Sequence, residues 1–398
     1  MIQSKKNRKP FIASTLTLMS LGAITLASGQ VAENPIVDES IGSVFSFSTV
    51  GDSRQDPAAP DSTMMPLHGQ DSIWLQNTKA WFRIEKSIAE QRSKMLFFNG
   101  DMIMGYGNAI APTTTTIAGI LGSDLMAFYK QYAFWRGLVA PLLETGTYVI
   151  PVPGNHETQW KAGGKKAQVA NENAWRDNMG DLISNNPKLG AIMGSGLGAP
   201  HIGDERNPAD SLSSDQSKLT YSFDYRGSHF AVINTDPVGK DSHAPTQWLQ
   251  ADLTAAQARG AKHFFVFGHK PAYTYFYGSV IPPLPALPLP GKPAGLDVDI
   301  PARNAFWDVI ESFHATYFCG HEHIFNTMQP RGGAWQIMVG SGGSPFEANP
   351  GAATINANDR KYAWATVKVD SLDNVQLKAF GFDDHFGATT LLQTIALP

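Results

Sequence analysis

Asn155, His156 and Glu157 follow the turn Pro151, Val152, Pro153, Gly154, and before that turn runs Thr147 to Ile150, a β-branched and aromatic stretch. A strand that ends on an amide, an imidazole and a carboxylate offers chemistry. The amide oxygen of Asn155 can bind a metal, and His156 can carry a proton near neutral pH. The pattern recurs: Ser43 to Val50 runs into Gly51, Asp52, Ser53 and Arg54; Met95 to Asn99 into Gly100 and Asp101; Lys262 to Phe267 into Gly268 and His269; Ala315 to Cys319 into Gly320, His321, Glu322 and His323. These strand ends supply hard oxygen and imidazole donors without a thiolate, a set suited to Mn, Fe or Zn rather than to a structural zinc finger. Two ions held close together need one carboxylate to bridge them, and Asp101 is the natural bridge. Two such cations polarise a phosphoryl oxygen and acidify the water they share into a hydroxide, which attacks phosphorus in line with the leaving group. The leaving alkoxide then needs a proton, which His156, one position beyond Asn155, can give.

The elements that must position these residues alternate strand and helix. Apolar residues at helical spacing (Trp74, Leu75, Trp81, Ile84, Ile88) predict a helix after the first strand, and Asp124 is expected to cap another that runs to about Leu143. From 161 to 200 helical pieces alternate with Gly-rich loops, with Asn173 to Met179 the most helical part. Leu219 to Tyr225 and His229 to Thr235 read as a hairpin around Arg226, Gly227 and Ser228. Helices are expected over Pro245 to Arg259 and Arg303 to His314, and late strands over Trp335 to Val339, Tyr362 to Val369 and Asn374 to Phe380. Ligands of open α/β sheets bind beyond the carboxyl ends of the strands, where the motifs stand.

The chain has 398 residues, 42% of them hydrophobic and 17% charged, an ordinary globular composition that excludes disorder and a coiled coil. A net charge of -4 advertises neither nucleic acid nor an acidic membrane surface, and no Lys and Arg cluster of the mature chain suits tight polynucleotide binding. Lys5, Lys6, Arg8 and Lys9 precede the apolar stretch Phe11 to Ala27, which ends in Ala27, Ser28 and Gly29, the three-part pattern of a secretory signal peptide. Residues 1–29 are expected to be removed, leaving a secreted or periplasmic protein without a membrane segment. The lone cysteine, Cys319, excludes an intramolecular disulfide and reads as a buried strand residue.

The order of motifs resembles the calcineurin-like metallophosphoesterases, nearest to the part of that superfamily that includes purple acid phosphatases. The resemblance covers Val44 to Phe346 and rests on GD at Gly51 and Asp52, GD at Gly100 and Asp101, GNHE at Gly154 to Glu157, GH at Gly268 and His269, and GHEH at Gly320 to His323. It implies an α/β fold, a four-layer α/β/β/α sandwich with two mixed sheets. It also implies two divalent or trivalent metal ions, one held by Asp52, Asp101 and His323 and the other by Asp101, Asn155, His269 and His321, with His156 as phosphate-contacting general acid. The pattern departs at Arg54, where most of the family has a histidine, and at Met104, where the purple enzymes have a tyrosine; Tyr106 is out of register. The first ion is therefore expected to be one protein ligand short and weaker. Arg54 either clamps a phosphate oxygen or forms a salt bridge to Asp52 or Asp56 that orders its loop.

The implied protein is a single metallophosphoesterase domain over 30–398, with loop insertions at about 105–123, 160–215 and 273–301. Within the last, the aromatic group that includes Tyr275 and Tyr277 and the proline-rich run from Pro282 to Pro290 read as a lid, and a pocket capped by Tyr275 or Tyr277 favours small monoesters. The expected partner is a small phosphate ester, with phosphomonoester hydrolysis the leading reading. A phosphodiesterase of the same fold or a catalytically decayed metal-dependent binding protein are the alternatives. His201, His229, His243, His263, His314 and His385 are expected to be structural or solvated, and Glu157 and Glu322 to support the site rather than bind metal.

Overall fold

Strand Ser43–Val50 (β1) lies at the centre of a six-stranded sheet, parallel to Met95–Phe98 (β2), which is parallel to Tyr148–Pro151 (β3). Its other flank is antiparallel: Tyr362–Asp370 (β12), Val375–Phe382 (β13) and Thr390–Leu397 (β14) follow in that order. In this computed structural model, which describes residues 43–54, 77–183, 210, 212, 214–274, 293–347 and 360–398, a second six-stranded sheet is built from the middle of the chain. Its parallel core is Ser228–Val232 (β7), His263–Phe267 (β8), Thr316–Cys319 (β9) and Gln336–Val339 (β11). Tyr221–Tyr225 (β6) and Phe325–Met328 (β10) close its two edges antiparallel.

The two sheets meet through phenylalanine. Because strand side chains alternate, Phe265 and Phe267 of β8 point into the space between the sheets, while Phe264 and Val266 point to the helices outside. Phe97 of the first sheet stacks on Phe267 with ring centroids 3.7 Å apart, and Phe47 meets Phe265 edge-on at 4.9 Å. Helices Thr78–Glu90 (α1), Asp124–Glu144 (α3) and Val169–Ile183 (α5) contribute Trp81, Trp135 and Trp175 to the core of the first sheet. Helices Thr246–Ala258 (α6) and Ile300–Ser312 (α7) pack Trp248, Leu249, Phe306 and Trp307 on the outer face of the second. The result is the expected four-layer α/β/β/α sandwich. Cys319 is buried on that outer face, as read from the sequence. No described helix is long and apolar enough to cross a membrane.

Local differences from the sequence reading have identifiable causes. The Gly- and Thr-rich stretch after Gly105 is mostly irregular, but Ile117–Leu121 (α2) forms a short helix because the Thr116 side chain accepts from Gly119 N. Ser123, not Asp124, caps α3; Asp124 instead accepts from Asn108 N and ties down the preceding loop. Helix α7 starts three residues before Arg303 because Asp299 caps it and Pro301 suits its first turn. Helix α5 extends well beyond Asn173 to Met179 on both sides. Edge strands β10 and β14 were not anticipated. Half of β14 faces solvent, so it lacks an uninterrupted apolar signal. The turn at Asn155 is itself one turn of helix, Asn155–Thr158 (α4).

Candidate metal centre

The five motifs converge. Strands β1, β2 and β3 are parallel neighbours in one sheet and β8 and β9 in the other, so their carboxyl ends open onto one region between the sheets. Backbone bonds stitch the turns together: Asp52 N donates to Gly100 O, Gly51 N to Val339 O and Gly320 N to His269 O, at 3.0, 2.8 and 2.9 Å. The Gly340 to Ser344 turn closes the same edge, with Gly342 N on Gly51 O and Ser344 N on Asp52 O.

One group of donors comprises Asp101, Asn155, His269 and His321. His269 Nε2 lies 2.9 Å from Asn155 Oδ1, 3.1 Å from Asp101 Oδ1 and 3.2 Å from His321 Nδ1, and His321 Nδ1 lies 2.8 Å from Asn155 Oδ1. The neighbours of these atoms fix which way they point. His269 Nδ1 donates to Asn99 O at 2.7 Å, which leaves Nε2 facing inward. Asn155 Nδ2 donates to the Tyr106 hydroxyl, which turns Oδ1 toward the imidazoles. Burial, with the neighbouring His269 and Lys270 charges, holds His321 well below its ordinary pKa. His269 goes the other way: burial opposes its proton, but Asp101 pushes it up to about 9. Two imidazole nitrogens and two oxygens this close together ask for a positive charge between them, either a proton or a metal ion.

The second group is Asp52, Asp101 and His323. His323 Nδ1 donates to Pro345 O at 2.8 Å, so its Nε2 lone pair faces inward, 3.8 Å from Asp52 Oδ1. Burial, and then the Arg54 charge, lower His323 to about 3, so the ring is neutral. Asp52 is fully buried, and its Oδ1 has no hydrogen-bond partner among the described residues; its other oxygen accepts from His321 N. An orphaned carboxylate oxygen beside a neutral imidazole fits a cation, as does the shared Asp101. Asp101 also keeps its ionised form: burial opposes this, but His156, His269 and the Arg54 guanidinium around it hold it well below the ordinary range. The Asp101, His269 and His321 donor atoms lie within 4.8 Å of one another, as do those of Asp52, Asp101 and His323. The residues present therefore fit two metal ions, with Asp101 common to both.

Arg54 lies inside the second group. Its Nε donates to Asp101 Oδ2 at 3.2 Å and its Nη2 lies 3.2 Å from His323 Nε2. Where a salt bridge to Asp52 or Asp56 was expected, the described ion pair of Arg54 is with Asp101; Asp56 lies outside the described residues.

His156 is buried beside the donors without joining them. Its Nδ1 donates to Met104 O at 2.5 Å and its Nε2 lies 3.7 Å from Asp101 Oδ2. Burial, then the Arg54 charge, push it well below its ordinary pKa, so in the substrate-free chain the ring is neutral. Tyr106 packs against it with ring centroids 3.6 Å apart and the rings tilted by 38°. Sequence reasoning set Tyr106 aside as out of register; its position depends on a left-handed Gly105 and Tyr106 pair that carries the ring back over α4. Glu157 supports the turn as expected, accepting from Asp101 N, Met102 N, Ile103 N and Gly154 N. Lys270 turns away, bonding Asp236 and Ser242 at 2.7 Å each. Tyr275 and Tyr277 lie outside the described residues, as do Trp74 and His201.

The other histidines have structural or surface settings. His229 is buried between Asp224 and Asp252, His263 is buried at a strand start, His243 pairs with Asp299, and His385 is almost wholly exposed.

Among solved structures, the chain is similar to a purple acid phosphatase from yellow lupin (Lupinus luteus) seeds, at 15% identity and a TM-score of 0.49, covering 89% of this chain and 54% of that one. A dimetal phosphatase from Danio rerio matches at 12% identity and a TM-score of 0.49, covering 88% and 99%. A 5'-nucleotidase from Candida albicans matches at 12% identity and a TM-score of 0.38, covering 86% and 52%. The chain thus spans about half the length of the lupin and Candida proteins. No curated protein gives a significant match. The calcineurin-like phosphoesterase family model matches residues 67–325, more than half of the chain, a stretch that holds every donor described above except Asp52. The chain belongs to the calcineurin-like phosphoesterase family, whose members are metal-dependent phosphoester hydrolases.

Proposed function

We propose that this phosphoesterase is exported and hydrolyses small phosphate monoesters. The observation that carries the reading is His156: a buried imidazole next to, but outside, the donor set, with one nitrogen spent on Met104 O and the other beside Asp101. A metal site built only for structure has no use for such a group. When bound, two divalent ions supply the charge that polarises a phosphoryl group and lowers the pKa of water. Asp101 would be common to both ions, Asp52 and His323 would hold one, and Asn155, His269 and His321 the other. His156 is the group that moves a proton. Its Nδ1–H is fixed on Met104 O, which leaves Nε2 to carry a second proton once a negatively charged ester enters, and to deliver it to the departing alkoxide. The Arg54 guanidinium is close enough to meet a phosphate oxygen at the same edge.

Export is supported by the basic and then apolar start of the chain. The choice of small esters over polynucleotides is supported by the absence of a Lys and Arg cluster in the mature sequence. The test is hydrolysis of aryl phosphate monoester and diester substrates by protein stripped of metal and reloaded with Mn, Fe or Zn, beside His156→Asn. The expected result is metal-restored turnover, faster on the monoester, that falls ~100-fold in the variant, the usual size of an acid-base contribution. Preference for the diester would move the assignment to a phosphodiesterase. Turnover that is unchanged in the variant would remove His156 from the proton-transfer role.

A further inference from the structure

Arg54 does more than replace a missing histidine. Two of the three inward donor atoms of the Asp52, Asp101 and His323 group are already bonded to its guanidinium. Nε donates to Asp101 Oδ2, and because His323 Nδ1–H is committed to Pro345 O, His323 Nε2 can only accept from Nη2. The arginine is held there from both ends: Ser344 Oγ donates to Arg54 O at 2.6 Å, and the side chain is only 11% exposed. A guanidinium cannot be deprotonated in a protein, so this cation does not leave by losing a proton. A lone pair bonded to an N–H is also unavailable to an ion. Among the described residues no lysine or arginine reaches into the other group of donors, where His269 and His321 face each other, Asn155 and Asp101, so an ion there displaces at most a proton, which solvent can take up.

We propose that Arg54 is the resident cation of the Asp52, Asp101 and His323 pocket, so that the two metal ions load unequally. This rests on the reading of the site as a metal centre. The first ion enters at Asp101, Asn155, His269 and His321 against no competing side chain. The second must displace the guanidinium from Asp101 and His323, breaking a charge-assisted bond to a buried carboxylate and a bond to an imidazole. A hydrogen bond of the former kind corresponds to roughly 10-fold to 100-fold in an equilibrium constant. Occupancy of the second site is therefore set by metal concentration in a range where the first is already full.

The experiment is calorimetric titration of the chelator-stripped full chain with Mn or Zn, with bound metal counted by emission spectroscopy after desalting, on wild type, Arg54→Ala and Arg54→His. Circular dichroism monitors the fold of each. Wild type is expected to retain one ion per chain after desalting and to bind a second at least ~10-fold more weakly. Arg54→Ala removes the competitor and should tighten the weak step ~10-fold or more; Arg54→His also adds a ligand and should retain two ions. Two equally tight ions in wild type would overturn the inference while leaving the metal centre intact. A weak step that stays put in both folded variants would also overturn it, and would assign Arg54 to holding its loop. Failure of wild type to bind any ion would overturn the metal centre itself.

Discussion

Glu157 offers the sharpest test of how the centre is held together, because one side chain satisfies four backbone donors from two loops. Its Oε2 accepts from Asp101 N at 2.9 Å and Gly154 N at 2.8 Å, and its Oε1 from Met102 N at 3.0 Å and Ile103 N at 3.1 Å, all in a setting without solvent exposure. Glu157→Gln keeps the shape and one oxygen, but its amide nitrogen must then face two N–H groups that it cannot accept from. A buried donor left unsatisfied costs about 1–3 kcal/mol, so the substitution should cost about 2–6 kcal/mol, a large part of the ~5–15 kcal/mol that separates folded from unfolded chains. The loss should also reach the metal centre, since whichever oxygen is replaced, at least one abandoned donor lies in Asp101 to Ile103, the stretch that carries the carboxylate shared between both groups. Alanine is the weaker test, because it leaves room for water to serve as acceptor. Urea unfolding of the stripped protein, followed by metal titration, measures both effects. A loss below ~1 kcal/mol at an unchanged slope, with wild-type metal affinity, would refute the bracing role.

Two further outcomes follow from the same structure. His229, buried between Asp224 at 2.6 Å and Asp252 at 2.8 Å, has its pKa raised by those bonds against the opposing effect of burial. A histidine raised in the folded state contributes stability that is complete below its unfolded pKa of ~6.5 and is lost as pH rises through the folded value. Wild type should therefore lose stability on the alkaline side of pH 6.5, and His229→Gln should be less stable at pH 6 with that slope flattened; parallel melting curves from pH 6 to 9 would contradict it. Removal of metal should lower the melting temperature. At a free metal concentration 100 times the dissociation constant the linkage is worth about 2.7 kcal/mol, and a melting temperature that ignores both chelator and added ion would argue against a preformed centre.

Much of the fold and most of the donor set were legible in the sequence because both are written locally. A β-branched run followed by Gly and a polar residue needs only a few neighbours to be recognised, and Asp52, Asp101, Asn155, His269, His321 and His323 all stand at such places. What the sequence hid is what depends on the two sheets meeting. Arg54 and His323 are 269 positions apart, and nothing near Arg54 says that its guanidinium will lie against that ring rather than against Asp56. Tyr106 was hidden for a different reason, since its approach to Asn155 and His156 depends on a positive φ at two consecutive residues. Which ring nitrogen His269 and His323 turn toward the site is set by Asn99 O and Pro345 O, and a backbone carbonyl carries no signature in the residue type.

The glycines of the motifs connect these levels. Asp52, Asp101 and His321 have φ of 59°, 51° and 73°, a region that non-glycine residues enter at a cost of order 1–3 kcal/mol each. That conformation turns each donor out of its strand direction and into the space between the sheets. Glycine before the donor is needed for closeness as well as for bending. A Cβ on Gly320 would stand 2.2 Å from Asp52 Oδ2, and one on Gly154 would stand 2.5 Å from both the nitrogen and Oδ1 of Asp101. The motif from one sheet is thus in contact with the carboxylate of another motif, Gly320 against Asp52 across the sheets and Gly154 against Asp101 within one. The strained turns thus hold Asp52 and Asp101 where each carboxylate feels the other, which raises the Asp52 pKa further above what burial alone does, and a positive charge between them relieves that repulsion.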